Sequence, residues 1–366
     1  MVITIGGLLG SIVIPLMANI NITIAYFIPF GVLALGFLIF VSGSKRYVRE
    51  KPDGTVLRKT LKLLTRSAIK CQSLEAFKKS QGGDTHDGFV DGVKQLIAVI
   101  LVTLLVVPAN LVYGQQITVF VLMGEVMNSA GGFLDASMMN IFDAIAVLIT
   151  GYFVGKFLFP YLERRDIRFP LTYKFALGTA MTGLSIAWTI VVEHELRARA
   201  AESGEKLSVL WVLPSYALMG SAEIFVIASS YEAVFVIAPK EQKALASAIN
   251  IFSVGGLPNL IAIGLYQACQ SWFPPGHDAK SLTEYVDGKM YNYLWLLLGI
   301  SVFGTFLNLL PCVKNWVEKA ERDAIDNNLR FSRQRYENFD SCHDGGEDVE
   351  KDECTSASCD SLHNST

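Results

Sequence analysis

"YALMGSAEIFVIASS" occupies Tyr216–Ser230 and sets one carboxylate, Glu223, among apolar residues. The apolar run continues at Leu207–Leu213 upstream and Ala233–Ala238 downstream, and the stretch itself holds no cation. On a helix rising 1.5 Å per residue, Glu223 lies about fourteen residues, roughly 21 Å, from either end of a span from Ser208 to Val236. An ionisable group at that depth in a bilayer is expensive, so such groups face a cavity, a pathway or a partner. Tyr216 and Ser230, seven residues to either side, share its helical face, with Gly220 between. Two readings follow: a substrate path along this face, or a protonated acid that pairs with another helix.

Composition supports the bilayer setting. The 366 residues are 51% hydrophobic and 18% charged, whereas a soluble domain carries about a quarter charged residues. Mean hydropathy is +0.38. Crossing about 30 Å of hydrocarbon takes roughly 20 mostly apolar residues. Eight stretches qualify: Val2–Ala18, Ile22–Val41, Val93–Gly124, Ala136–Pro160, Leu171–Val192, Ser208–Val236, Ala244–Ala268 and Tyr291–Cys312. The third and sixth are longer than needed, which predicts tilt or extension beyond the bilayer. Met1 opens directly into apolar sequence with no basic n-region, so the first stretch reads as a span rather than a signal peptide. The net charge of −3 gives no ground for a nucleic-acid partner, and the six cysteines, lacking framework spacing, read as reduced thiols.

Basic residues set the expected orientation. "GSKRYVREKPDGTVLRKTLKLLTRSAIK" (Gly43–Lys70) is densely basic and belongs in the cytoplasm, whereas Asn19–Asn21 and Met127–Ser137 carry no Lys or Arg. Alternation then puts both termini in the cytoplasm, in a multi-pass protein expected at the plasma membrane. The organisation expected is two helices (1–42), a cytoplasmic connector (43–92), a six-helix bundle (93–312) and a cytoplasmic tail (313–366). From Glu337 the tail is acidic, rich in Ser, Thr and Asp, and predicted to be largely disordered.

Within the spans, "PANLVYGQQ" (Pro108–Gln116) combines a helix-kinking proline with Asn110, Tyr113 and Gln115. These side chains suit either substrate contact or hydrogen bonding between helices. Asn140 and Asp143, three apart, share one helical face. Glu232, nine residues beyond Glu223, points to the opposite face as a gate or a packing carboxylate. "SVGGLPN" (Ser253–Asn259) predicts that Gly255, Gly256 and Pro258 unwind or bend the seventh span; with Pro108 and Glu232 they form the expected gating set.

"WVLPSYALMGSAEIF" (Trp211–Phe225) followed by "YEAVFVIAP" (Tyr231–Pro239) resembles the tenth helix of proton-dependent oligopeptide transporters, the POT or PTR family. "VPANLVYGQQITVFVLMGEVM" (Val107–Met127) is similar to that family's seventh helix, and "GSKRYVREKPDGTVL" (Gly43–Leu57) to the loop after its sixth. The resemblance runs from about Thr4 to Cys312. It implies an all-α major-facilitator fold represented by the last two helices of the first half and the whole second half, without the first four helices. It also implies di- and tripeptide substrates, protons as the coupling ion and no other cofactor; oligomeric state is left open. Glu223 then matches the glutamate that binds the peptide amino terminus, and Gln115 the seventh-helix glutamine. Asp143, or Asn140 one turn away, stands where the family often has a helix-eight asparagine, and Asn110 where a tryptophan is usual. Tyr113, Tyr216 and Ser230 complete the expected substrate-binding set.

Two motifs are set aside. "EKAER" (Glu318–Arg322) reads as an exposed i,i+4 pair rather than the family's first-helix coupling motif. Cys342, His343, Cys354 and Cys359 lack the paired spacing of a zinc site, so no metal is expected. The chain holds no nucleophile–base constellation and no phosphate-binding glycine loop, so enzymatic activity is not expected. The competing readings are a carrier of another small solute, such as nitrate or amino acids, and a non-transporting truncated or sensor protein.

Overall fold

A backbone surrounded by hydrocarbon must satisfy its own hydrogen bonds, which leaves a long apolar run the helix as its structure. The computed structural model describes residues 2–47, 56–70, 72–131, 134–202, 204–239, 242–274 and 282–344, which are helical with no strand among them. Six helical segments are long and apolar enough to cross a membrane: Ile22–Ser42, Ala136–Arg164, Leu171–Glu202, Val209–Ile237, Lys243–Ala268 and Met290–Leu309. A seventh is the bent pair Asp87–Leu104 and Val107–Glu125. The eighth expected span corresponds to α1 (Val2–Ile20), whose apolar part, Thr4–Ala18, is shorter than the others and contains Pro15. The next helix, α2 (Ile22–Ser42), starts on Asn21, whose side chain accepts from the Thr23 amide at 2.9 Å.

The connector has helical structure of its own. It contains α3 (Val56–Lys70), which buries Leu63 against Phe77, Val90 and Val93 in a small core of its own.

The third span is not one tilted helix. It divides into α4 (Asp87–Leu104), α5 (Val107–Tyr113) and α6 (Val119–Glu125), bent by 43° at the first break, with a 3₁₀ turn at Gly114–Ile117 between α5 and α6. The break falls at Leu105–Val106, just before Pro108, which occupies the second position of α5. In a first helical turn the missing N–H of proline is harmless.

The fourth span runs as α7 (Asn140–Phe153), a π-helical turn at Val154–Leu158 and α8 (Phe159–Arg164). After it comes α9 (Leu171–Glu202), then α10 (Leu213–Glu223), which continues through a π-helical turn at Ile224–Ala228 into α11 (Ser229–Ile237). The seventh expected span neither unwinds nor breaks at "SVGGLPN". α12 (Lys243–Ile251) passes through one π-helical turn, Phe252–Gly256, into α13 (Leu257–Ala268), and Pro258 sits in the first turn of α13. An extra residue in one turn absorbs the glycines without exposing backbone.

The chain closes with α14 (Leu282–Asp287), α15 (Met290–Leu309) and α16 (Pro311–Asp344). The helix α16 runs past Glu337, where a structureless tail was expected, because its sequence from Val313 is rich in Glu, Lys, Ala and Arg. Within "EKAER", Arg322 donates to the Glu318 backbone carbonyl at 3.2 Å, and Lys314 approaches the Glu318 carboxylate at 3.9 Å. Residues 345–366 and the side chains of Cys342 and His343 lie outside the described residues. Cys269 and Cys312 are free thiols.

The longest apolar span, α9, is the axis of the bundle, packed along α10 and α15. Its contact face is small and hydroxylic: Gly178, Thr179, Thr182, Gly183, Ser185 and Thr189 are buried. Thr179 and Thr189 return their hydroxyls to carbonyls one turn back, at 2.7 and 2.9 Å. The α15 side answers with Ser301 and Gly304. A Cβ on Gly304 would stand 2.6 Å from Pro108 Cβ, so α15 nests into the break before α5. Asn308 of α15 then donates to the Leu105 carbonyl at 3.3 Å and the Gly304 carbonyl at 2.9 Å, supplying a partner beside the broken ladder.

Candidate functional site

Glu223 is the last residue of α10, and the π-helical turn begins at the next one. Such turns accompany functional positions because the inserted residue re-aims side chains. The turn is held by α9: a Cβ on Gly178 would lie 2.4 Å from Val226 Cγ2, so only glycine admits this approach. One turn before Glu223, a Cβ on Gly220 would lie 2.3 Å from the Asp143 carbonyl oxygen. The Gly-x-x-Glu spacing therefore puts α7 against α10 and both carboxylates at one level.

Tyr113 joins them. Its hydroxyl lies 3.0 Å from Glu223 Oε2 and 3.3 Å from Asp143 Oδ2. A tyrosine hydroxyl has one hydrogen to donate, so the two carboxylates share it. Asp143 is 5% exposed and sits in the first turn of α7, where the helix dipole favours a negative charge. The Gln116 side chain, 3% exposed, faces Asp143, and its Oε1 has no hydrogen-bond partner. Tyr216, fully buried, donates to the Gln116 carbonyl at 3.1 Å and so fixes the backbone of this segment.

Gln115 belongs to the same 3₁₀ turn. Its Nε2 donates to the Leu111 carbonyl at 3.0 Å, and its Oε1 accepts from the Tyr293 hydroxyl at 3.2 Å. Asn110 is buried and donates to the Val106 carbonyl at 3.1 Å, beside the break. The Oδ1 atom of Asn140, one turn before Asp143, is buried without a partner.

The other candidates lie apart from this group. Ser230 is buried and donates to the Ile227 carbonyl at 2.8 Å. The π-helical turn separating it from Glu223 adds a residue, so the shared face with Tyr216 and Gly220 does not extend to Ser230. Glu232 is 60% exposed and pairs with Lys174 of α9 at 2.8 Å. Pro108 packs on Gly304. Around Gly255, Gly256 and Pro258, the π-helical turn is tied to α4 by the Thr103 and Ser253 hydroxyls at 3.0 Å.

Two members of the site carry no signal that isolates them in the sequence. Tyr293 stands in "YNYLW", at the mouth of the last span, where aromatic residues are common for interfacial reasons. Gln116 follows Gln115, and nothing local says which amide turns toward Asp143.

The bundle of membrane-length spans is thus assembled on small residues around two carboxylates, Asp143 buried and Glu223 half-buried. The chain belongs to the POT family: the family's model, PTR2, matches residues 1–273. Among its relatives, Protein NRT1/ PTR FAMILY 8.5 of Arabidopsis thaliana is 26% identical over 63% of this chain and 40% of its own length. Peptide transporter PTR2 of Saccharomyces cerevisiae (strain ATCC 204508 / S288c) is 23% identical over 63% of this chain and 40% of its own length. The chain thus spans well under two thirds of these relatives. The crystal structure of the POT family transporter PepTSo superposes with a TM-score of 0.65 at 18% identity, covering 87% of this chain and 70% of that one. The fold is accordingly that of the major-facilitator POT transporters, and the yeast protein and PepTSo are transporters by name.

Proposed function

We propose that this chain supplies the amine-binding part of a proton-coupled symporter of di- and tripeptides. The observation that carries the reading is the Tyr113 hydroxyl held between Glu223 and Asp143, to which no helix among the described residues brings a cation. A peptide ammonium supplies three N–H donors and a positive charge, which is what the pair lacks. Glu223 accepts the ammonium, Tyr113 relays to Asp143, and the Gln115–Tyr293 pair flanks the peptide backbone. Protons are the coupling ion, exchanging with substrate at the same carboxylates. The basic connector and both termini face the cytoplasm, and the protein works in the plasma membrane.

Supporting this reading are the family membership and a relative whose name is that of a peptide transporter. The test is calorimetric binding of alanyl-alanine to the full chain in lipid nanodiscs. A charge-assisted hydrogen bond contributes about 1.5–3 kcal/mol, so Glu223→Gln is expected to weaken binding by roughly ten- to a hundredfold. Unchanged affinity in a folded Glu223→Gln protein would overturn the assignment.

A further inference from the structure

Donors and acceptors around Tyr113 do not balance. Two carboxylates and the unpartnered Gln116 Oε1 present acceptors, and against them stand only the Tyr113 O–H and the Gln116 side-chain N–H facing Asp143. Charge does not balance either. α1, α5 and α15 carry no ionisable Lys, Arg, His, Asp or Glu, and α7 and α10 carry Asp143 and Glu223 alone. In α9, Lys174 stands at one end paired with Glu232, and Arg197 and Arg199 stand at the other, paired with Glu193 and Glu195. Lys156, beyond α7, is exposed and donates to Tyr152. Glu125, at the end of α6, adds no positive charge. Among the described residues, no helix packed around the pair brings a cation to it.

A buried charge without a counter-charge is among the costliest arrangements in a protein, and Asp143, with half-buried Glu223 beside it, is such a charge. One ammonium neutralises Glu223 and leaves Asp143, 5% exposed, uncompensated. The hydrogen bonds of 3.0 and 3.3 Å through one hydroxyl keep the two carboxylates within roughly 6 Å of each other. That is the reach of two ammonium groups separated by a short carbon chain, each on one carboxylate. Gln116 Oε1 is then the neutral acceptor for a remaining N–H.

We propose that Asp143 makes this site selective for substrates bearing two ammonium groups at their amino end, one held by Glu223 and the second by Asp143 with Gln116. Applied to peptides, this rests on the function proposed above and names its preferred class: peptides whose first residue carries a short amino side chain. Asp143 is the specificity-determining residue, and Glu223 remains the site of the first amine.

The experiment compares alanyl-alanine with diaminobutyryl-alanine, whose first residue has a second amine on a two-carbon side chain. Binding to the full chain in nanodiscs is measured at neutral pH, so that protons do not compete with the amines for the carboxylates. Wild-type protein is expected to bind the diamino peptide at least about tenfold more tightly. In Asp143→Asn the preference, read as the ratio of the two affinities, is expected to collapse to near unity. Absence of the preference in wild type, or its persistence in Asp143→Asn, overturns the proposal. If neither peptide binds, the peptide reading fails by itself, and the charge argument is tested by thermal stabilisation with propanediamine against propylamine. Stronger stabilisation by the diamine, lost in Asp143→Asn, supports it; equal responses to the two amines in wild type refute it. The wild-type comparisons stand even if the variant does not fold.

Discussion

The helices α2 and α9 are both apolar and both long enough to span a membrane, yet they live in different surroundings. Of α2 only Ala25 is buried, and large side chains such as Phe30, Leu33 and Phe37 are exposed all round. The α9 face toward α10 and α15 is buried and rich in Gly, Ser and Thr. The difference teaches what holds this bundle together. In lipid an apolar side chain gains little by leaving its surroundings, so helices associate through close backbone approach and hydroxyl hydrogen bonds. Apolarity makes a span; small residues make an interface.

The most damaging break of that comparison lies at the far end of α9. Glu193, 1% exposed, accepts from Tyr285 at 2.6 Å and from Arg197 Nε at 2.8 Å, while Arg197 also donates to the Val286 and Gly288 carbonyls. Burial beside the Glu193 carboxylate holds the Tyr285 hydroxyl far above its usual range, so it stays a donor. Glu193→Ala leaves buried Tyr285 and half-buried Arg197 without this acceptor, and breaking such a pair is expected to cost up to about 3 kcal/mol. Thermal melting of the nanodisc-held protein measures it. A melting temperature within error of wild type would show that this end of α9 is not locked.

Gly304→Val is next. Its side chain must displace Pro108, and overpacking of this kind costs about 1–3 kcal/mol. Melting should fall accordingly, and so should amine binding, since α5 carries Tyr113. Loss of binding with full stability would mean that the break before α5 is a functional joint rather than a packing device.

A smaller effect is expected on α16. Burial is the main cause holding the Glu321 carboxyl above the ordinary range; Lys174 pulls it down, and Glu232 and Glu318 push it further up. The raised value means that the folded protein favours the protonated acid. Its contribution is fully present below the ordinary glutamate pKa and is lost as pH rises through the raised value. Glu321→Gln removes that loss, so the variant should melt higher than wild type near neutral pH and converge with it in acid. Parallel melting curves across pH would disprove the assignment.

The smallest effect sharpens the comparison from the other side. Leu33→Ala on α2, at a side chain 73% exposed, is expected to stay within about 0.5 kcal/mol of wild type. A cost like that of Gly304→Val would mean that α2 has a packing partner and is not a lipid-facing helix.

What the amino-acid order determined by itself is local and one-dimensional. Hydropathy over roughly 20 residues marked the spans, because desolvation of a helix depends on composition along its length. A lone acid in "YALMGSAEIFVIASS" marked Glu223, because nothing nearby in sequence compensates it. Pro108 announced a broken third span. Helix rotation and approach are not written that way. Which face of α5 meets α7 and α10 decides that Tyr113, rather than Asn110, touches both carboxylates. A π-helical turn shifts everything beyond it by one residue, which is why Ser230 leaves the face it shares on an ideal helix with Glu223. The break at Leu105–Val106, the Gln115–Tyr293 hydrogen bond and the unpartnered Gln116 Oε1 depend on contacts between residues as much as 203 apart in sequence. Only the packed bundle decides those, because a side chain's partners in lipid are set by the helix that comes close enough, and closeness is granted by glycines such as Gly178, Gly220 and Gly304.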